Sequence, residues 1–206
     1  MHPNPAFRQD PLEKNLAFAR DRGFGTLTVN GPDGPLAAHI PFLLNADASF
    51  ADLHLARSNP IARATLPAPA LLAVSGPDAY ISPDWYGPHD EVPDQVPTWN
   101  YVAVHLRGVL ERLPDDALRP HVDALSAEHE GRIEGKRPWT SAKMTENALP
   151  RMLRMILPFR FRVTSVDGTW KLNQNKPPEI RARAATALSK GGASAQVIAA
   201  LMRDLP

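Results

Sequence analysis

An alternating stretch at residues 51–56 is the strongest constraint on how this chain folds. Its apolar residues recur at every second position, which is the pattern of a β-strand buried on one face. Asn59 and Pro60 follow closely, and these residue types favour the N-cap and first position of a helix. The stretch therefore predicts a strand that runs into a short helix extending to Leu66.

The corner between this strand and the helix carries donors suited to an anion. Backbone N–H groups at a helix start have no intrahelical partners and carry partial positive charge. Arg57 adds a guanidinium and Ser58 adds a hydroxyl. Our hypothesis is that Arg57 and Ser58 hold the phosphate of a bound cofactor. The alternative is an ordinary capped strand–helix junction with a surface arginine, because local motifs often occur without a ligand.

Composition excludes several classes of protein. The 23 Lys and Arg residues nearly balance the 22 Asp and Glu residues, so overall charge gives no support for nucleic-acid binding. The chain has no cysteine, which excludes disulfides, thiolate metal sites and a thiol nucleophile. No apolar run reaches membrane-spanning length, and the N-terminus has no apolar signal core. We therefore expect a cytoplasmic protein without a membrane segment.

The remaining pattern predicts a mainly β protein with added helices. The 22 prolines favour turns and short elements over long helices. Pro41 predicts a break or an edge in its strand, since it cannot donate a ladder hydrogen bond. Turn residues at 76–78 and 167–168 predict chain reversals. The pattern therefore predicts a barrel or a sandwich. Its other predicted strands lie at 24–29, 36–44, 70–75, 79–82, 99–113, 159–166 and 170–172. Helices are predicted from 11 to Gly23, from 114 through 125, at 148–156 and, after 177, as an Ala-rich pair separated by Gly191–Gly192.

The segment from 83 to 97 is predicted to be an irregular loop, and long loops in compact domains are often functional. Its surroundings are rich in large aromatic residues. These residues either form a flat platform for a planar cofactor or pin the loop as a small satellite core. The four residues are Trp85, Tyr86, Trp99 and Tyr101.

Residues 171–177 form a second polar cluster, of two lysines and three amides, directly after a predicted strand. Amide side chains can donate and accept together, which suits the polar edge of a heterocycle. The alternative is a polar turn that caps the next helix.

The histidines and the final helices give no specific motif. His39, His54 and His105 fall on predicted strands, but their spacing does not specify a metal triad, and half-buried structural histidines are more common. No residue is an evident catalytic acid, base or nucleophile, so we assign no catalytic residue and no metal ligand. The C-terminal helix pair offers no basic or amide-rich face for reading DNA.

Several blocks together resemble one family. They include Tyr-Ile-Ser-Pro-Asp-Trp-Tyr at 80–86, Val-Pro-Thr-Trp-Asn-Tyr at 96–101 and Trp-Lys-Leu-Asn-Gln-Asn-Lys-Pro at 170–177, and further matches lie at 54–60, 129–130 and 137–139. In this order they resemble the PaiB family, described as FMN-binding negative transcriptional regulators. The resemblance implies an FMN-binding split β-barrel of Greek-key type with peripheral and C-terminal helices, normally a homodimer with FMN near the interface.

The resemblance also implies site residues. Arg57 and Ser58 would contact the FMN phosphate, and residues 54–56 would run beside the ribityl chain. Residues 39–41 would pass the edge of the isoalloxazine, and further polar contacts would come from 100, 171, 174 and 175, with the dimer partner as one source of them. The full set of expected cofactor contacts is His39, Ile40, Pro41, His54, Leu55, Ala56, Arg57, Ser58, Asn100, Lys171, Gln174 and Asn175. Asn173, where relatives often have serine, departs from the family pattern.

Three functions stay open on the sequence. The first is a flavin-containing negative transcriptional regulator, acting on DNA or on a regulatory protein partner. The second is an FMN-dependent oxidoreductase or flavin reductase that uses a nicotinamide donor, and the third is a cofactor-free interaction protein. A split barrel can host each of these activities. We expect a split-barrel domain at 1–176 and a helical extension at 177–206.

Overall fold

The computed structural model describes residues 1–92 and 94–205. Six β-strands and five α-helices make up its main elements. The helices are α1 (Leu12–Arg22), α2 (Leu118–Glu130), α3 (Ala148–Leu153), α4 (Pro178–Leu188) and α5 (Ala193–Arg203). The strands are β1 (Phe24–Gly31), β2 (Gly34–Leu44), β3 (Phe50–Ala56), β4 (Ala68–Ile81), β5 (Thr98–Arg112) and β6 (Ile156–Lys171).

The strands form one closed barrel in the order β1-β2-β3-β6-β5-β4. β1 pairs antiparallel with β2 and also with β4, which closes the sheet on itself. Closure leaves a barrel without the long open edges that invite unwanted strand pairing. The predicted β fold with added helices is confirmed.

Alternation of buried and exposed residues explains why these segments are strands. In β3, Ala51, Leu53 and Leu55 are almost completely buried while Asp52 and His54 stay partly exposed. The same alternation in β2 buries residues 38, 40 and 42. Side chains on one face therefore fill the barrel, and those on the other face meet solvent or helices.

β2 continues through Pro41, so the predicted break in the strand is wrong. Pro41 is instead the point at which β2 changes partners. It is the last residue paired with β1, opposite Phe24, and pairing with β3 begins at Phe42 opposite Leu53. A residue without an N–H suits the end of a ladder.

Two predicted turns are also wrong. β4 runs through 76–78 and β6 runs through 167–168. In β4, the Asp78 N–H donates to Ser194 Oγ at 2.9 Å, and that hydroxyl donates back to the Asp78 carbonyl at 2.8 Å. A side chain thus satisfies the backbone where another strand would otherwise pair.

The other predicted elements fit in place but differ in extent. The 114–125 helix begins as a 3₁₀ turn and continues as α2, which buries Leu118, His121 and Leu125 rather than the predicted Val122. α3 ends at Leu153, and Ile156 already belongs to β6. The C-terminal pair, α4 and α5, is confirmed.

The chain divides into two compact units that alternate along the sequence. The first contains Met1–Asn15, Ser75–His105 and Asp167–Pro206, and the second contains Leu16–Val74 and Leu106–Val166. The division expected at 176/177 stays a prediction. Each unit is described separately below.

Candidate functional site

The Arg57 corner lies in the second unit, at the end of β3. The Arg57 N–H donates to the Met155 carbonyl at 2.8 Å, and its Nε donates to the Arg154 carbonyl at 3.1 Å. Both carbonyls directly follow α3, where helix carbonyls lack intrahelical partners. These bonds orient an exposed guanidinium and leave its terminal nitrogens available. A cavity of about 260 Å³ adjoins it, lined also by Arg119, Asp115, Asp116 and five other residues.

The helix predicted after this corner is much shorter than expected. It is a four-residue 3₁₀ helix, Pro60–Arg63, and does not reach Leu66. Asn59 is its N-cap as predicted, and Asn59 Oδ1 accepts from the Ile61 N–H at 2.9 Å. Since the cap already satisfies this N–H, the corner's capacity for an anion depends on Arg57 and Ser58 and not on a helix terminus. The side chains of both residues are exposed.

The predicted residues of β2 split between the two faces of the barrel wall. Ile40 is buried in the barrel, whereas His39 is exposed. His39 Nδ1 lies 3.0 Å from Thr26 Oγ1, and its ring stacks on Phe24 with centroids 6.5 Å apart and an interplanar angle of 14°. Phe24 is 48% exposed, so the two rings present a flat surface outside the barrel. Sequence analysis had assigned Phe24 only to a strand.

The predicted residues of β3 pair with β6 and lie just beyond the part of β3 that pairs with β2. Leu55 is buried in the barrel, and Ala56 ends the strand in an exposed position. His54 points to the other face, where its Nδ1 lies 3.1 Å from His121 Nε2 on α2. The imidazole of His54 is therefore engaged by the protein itself.

Burial shapes the protonation of this histidine pair. The pKa of His121 is lowered to about 4, chiefly by desolvation and also by His54, while Asp52 opposes the shift. Desolvation also lowers the pKa of His54. Both imidazoles are therefore neutral near pH 7, and one donates to the other. His121 was missed by sequence analysis because 67 positions separate it from His54.

An ion pair flanks the histidines on the same face of β3. Arg160 of β6 holds Asp52 with two hydrogen bonds, of 2.7 and 2.9 Å. Its guanidinium also lies 3.7 Å from the centroid of the Phe50 ring. A bidentate, stacked arginine of this kind fixes local geometry more firmly than a single surface contact.

The remaining predicted contacts belong to the first unit, where hydrogen bonds within the protein hold Asn100 and Gln174, although Asn100 Oδ1 has no partner among the described residues. Asn100 is completely buried, and its Nδ2 donates to Met202 Sδ at 3.4 Å. Gln174 Oε1 accepts from the Leu172 N–H at 2.8 Å, while its Nε2 donates to the Trp170 carbonyl. Gln174 therefore folds the chain after β6, as the polar-turn alternative predicted.

Lys171 and Asn175 both line a cavity of about 400 Å³ in the first unit. Lys171 Nζ donates to Thr98 Oγ1, and burial lowers the pKa of this lysine. Lys176 lines the same cavity and donates to Gln95 Oε1. The structure thus brings these polar residues around one space.

The aromatic residues of the first unit have two different environments. Tyr86 is 1% exposed, and its Oη accepts from Asn173 Nδ2 at 3.4 Å. Asn173 has a φ of 62°, a left-handed conformation that asparagine tolerates better than most residues. Trp99 is 54% exposed and meets the edge of Tyr80 with centroids 6.3 Å apart. Tyr86 thus pins the loop, while Trp99 faces outward.

The part of the chain that the structure describes has neither a metal-ligand cluster nor a helix suited to crossing a membrane. Residues 1–92 and 94–205 contain no cluster of three or more histidine or acidic side chains able to hold a metal ion. Within those residues, no helix has the length and apolar character needed to cross a bilayer.

Two solved structures that share this fold are named as flavin proteins. The FAD and heme binding protein from Mycobacterium smegmatis is similar with a TM-score of 0.57 and 19% identity, over 90% of this chain and 80% of that one. The flavocytochrome Anf3 from Azotobacter vinelandii gives a TM-score of 0.57 and 11% identity, over 82% and 72%. The strand order and these likenesses define the split β-barrel fold.

Sequence comparison identifies the family within that fold. Residues 1–165 match the family described as "Putative FMN-binding domain". Protease synthase and sporulation protein PAI 2 of Bacillus subtilis is 30% identical over 174 residues, which are 82% of this chain and 80% of the relative. An Aspergillus fumigatus protein is 28% identical over 76% of this chain and 78% of its own. The chain belongs to the PaiB family of FMN-binding-domain proteins, so the predicted resemblance is confirmed.

Proposed function

We propose that this protein binds FMN non-covalently and holds the phosphate with Arg57 and Ser58. Membership of an FMN-binding family supports the cofactor, and the Arg57 corner supports the position. The oriented guanidinium of Arg57 is the observation that carries the assignment, because a fork of donors fixed in advance loses little freedom when it binds an anion.

The residues at the corner fit a phosphate group. Arg57 offers charge and two terminal nitrogens, Ser58 offers an exposed hydroxyl, and Arg154 and Arg119 add positive charge around the adjoining cavity. Asp115 and Asp116 also line the cavity and reduce this positive field, although Asp115 pairs with Arg112, and Arg119 pairs with Asp123. A charge-assisted contact from arginine to phosphate is among the strongest hydrogen bonds available to a protein.

We further propose that the outer face of β2 and β3 carries the rest of the flavin. His39 and Pro41 would lie along the ring edge and residues 54–56 along the ribityl chain. We do not place the other four expected contacts on the flavin, because Asn100 and Gln174 are hydrogen-bonded within the first unit and Lys171 and Asn175 line the cavity of that unit. The exposed His39–Phe24 stack supports the position of the ring, since planar aromatic surfaces pack well against one another. Bound FMN would supply redox chemistry, and the chain would bind and orient it.

For the cellular role, we propose a flavin-containing negative regulator. The near balance of 23 basic and 22 acidic residues favours control through a protein partner over strong direct contact with DNA. The cytoplasmic location stays a prediction. The oxidoreductase alternative is supported by the separate polar cavity at Lys171, which offers room for a second small molecule.

The first experiment is a titration of purified apoprotein with FMN, followed by flavin fluorescence. Arg57→Ala should weaken FMN binding roughly tenfold or more, because a charge-assisted hydrogen bond contributes about 1.5–3 kcal/mol. Arg22→Ala, which removes an exposed arginine from the last turn of α1, is the matched control and should bind as the parent does. Equal FMN affinity for Arg57→Ala and the parent would remove the phosphate assignment.

A second experiment separates the regulator from the enzyme. Anaerobic addition of NADH or NADPH to the FMN-loaded protein should leave the flavin absorbance unchanged if the protein is a regulator. Rapid bleaching would favour the oxidoreductase. A salt-sensitive shift of promoter DNA would instead indicate direct DNA binding. If the purified protein did not bind FMN at all, the cofactor-free interaction protein would be the remaining function.

A further inference from the structure

The cavity at Lys171 contains two positive charges that the protein does not neutralise. Lys171 and Lys176 both line it, together with Thr98, Asn175 and aromatic residues of the first unit. Neither amine forms an ion pair with a carboxylate anywhere in residues 1–92 and 94–205. Asp94 also lines the cavity, and it too forms no ion pair there.

Both amines are held in place by neutral groups. Lys171 Nζ donates to Thr98 Oγ1 and lies 5.8 Å from the centroid of Phe7. Lys176 donates to Gln95 Oε1 and lies 5.0 Å from the centroid of the buried Tyr86 ring. Hydroxyl, amide and ring faces position an ammonium group, yet they leave its charge uncompensated.

An uncompensated charge withdrawn from water is unfavourable unless a counter-charge arrives. Lys171 is half-buried, and desolvation lowers its pKa. The Thr98 hydroxyl accepts from Lys171 and still has its own proton to donate, and the Asn175 amide can donate as well. The cavity therefore offers two cations and neutral donors, which are the groups that recognise a carboxylate or a phosphate, and the one carboxylate among its described lining residues, Asp94, leaves an excess of positive charge.

We propose that this cavity binds a small organic anion, carrying carboxylate or phosphate groups, as a second ligand alongside the flavin. Its volume of about 400 Å³ admits a compact molecule, and the Phe7 and Tyr86 rings provide apolar walls. The statement that the anion binds in addition to a flavin rests on the proposed function. The anion site itself is argued only from Lys171, Lys176 and Thr98. Lys171, Asn175 and Lys176 belong to the 170–177 block that resembles the PaiB family, although the family model itself matches only residues 1–165.

The test is isothermal titration of the full-length protein, with and without FMN, using citrate as the carboxylate probe and pyrophosphate as the phosphate probe. At least one probe should bind, and preference between them identifies the anionic group. Lys176→Met should weaken that binding roughly tenfold or more. Lys190→Met removes one positive charge from the exposed turn after α4 and should bind like the parent.

The variants keep this inference separate from the FMN proposal. Lys176 is not among the expected flavin contacts, so Lys176→Met should retain the parent's FMN affinity, and Arg57→Ala should retain its affinity for the anion. Thr98→Val should also weaken anion binding, since it removes a donor while keeping the shape of the side chain. Circular dichroism of each variant checks that it is folded.

Three results would overturn the proposal. The first is that neither probe binds to a folded protein. The second is that Lys176→Met and Lys190→Met reduce binding equally, which indicates general charge attraction. The third is displacement of the anion by stoichiometric FMN, which would make the cavity part of the flavin site. Loss of FMN binding with retained anion binding would refute the proposed function alone.

Discussion

The His54–His121 contact makes a quantitative prediction about stability and pH. Folding lowers the pKa of His121 from 6.5 to about 4, so between these values the unfolded chain binds more protons than the folded chain. The free energy of unfolding must then fall as the pH drops through this window. His54 contributes in the same direction, because burial lowers its pKa as well.

The size of the effect follows from linkage. With an unfolded pKa of 6.5 and a folded pKa of about 4, His121 removes up to about 2 kcal/mol of stability between about pH 8 and pH 5. His121→Leu eliminates this titration. The difference in unfolding free energy between the two pH values should therefore be about 2 kcal/mol smaller in the variant than in the parent.

Urea unfolding followed by circular dichroism at both pH values measures this difference directly. His89→Leu is the control, since His89 is an exposed histidine in the 83–97 loop, and it should keep the parent's pH dependence. Carboxylates that titrate in the same pH range contribute equally to the pH dependence of the parent and of the variant, so their contribution cancels when the two are subtracted. If His121→Leu retained the full pH dependence of the parent, burial of this imidazole would not be the cause.

Two further substitutions test the packing of the fold. Ser194→Ala should lower the free energy of unfolding by about 0.5–1.5 kcal/mol, because the exposed backbone of Asp78 loses its hydrogen bonds to the Ser194 hydroxyl. Ser189→Ala, at the end of α4, is the control, and an equal effect of the two substitutions would refute this account. Gly108→Ala should prevent normal folding, because the added Cβ would lie 1.9 Å from the Arg162 carbonyl oxygen. The measurement is urea unfolding, in which the cooperative transition should be lost. An unaltered transition would contradict this prediction.

The sequence predicted the first three strands well because their pattern has a single physical cause. Each buries one face in the barrel, so burial alternates along residues 24–56. The wrong turns at 76–78 and 167–168 have another cause. Gly168 lies where a Cβ would be 2.0 Å from Asn15 Oδ1, so this glycine serves close packing and not a reversal. Local residue type does not distinguish these two uses of glycine.

The candidate site was predictable only where its residues are neighbours in sequence or on consecutive strands. Strands β2 and β3 pair only through residues 42–44 and 51–53, so residues 39–41 and 54–56 lie just beyond this pairing, on consecutive strands. Arg57 depends on Arg154, which lies 97 positions away, and no local pattern in the sequence indicates that contact. The same holds for His121, whose neighbour Val122 fitted the apolar stripe better.

The alternation of the two units along the chain has a consequence for how relatives can diverge. The family match ends at residue 165, one position before the second unit ends at Val166. The residues after Val166, including Lys171 and Lys176, belong to the final segment of the first unit. Under our two proposals, the phosphate contact of Arg57 lies in the second unit and the anion cavity in the first, so relatives can change the second ligand without changing how they hold the flavin.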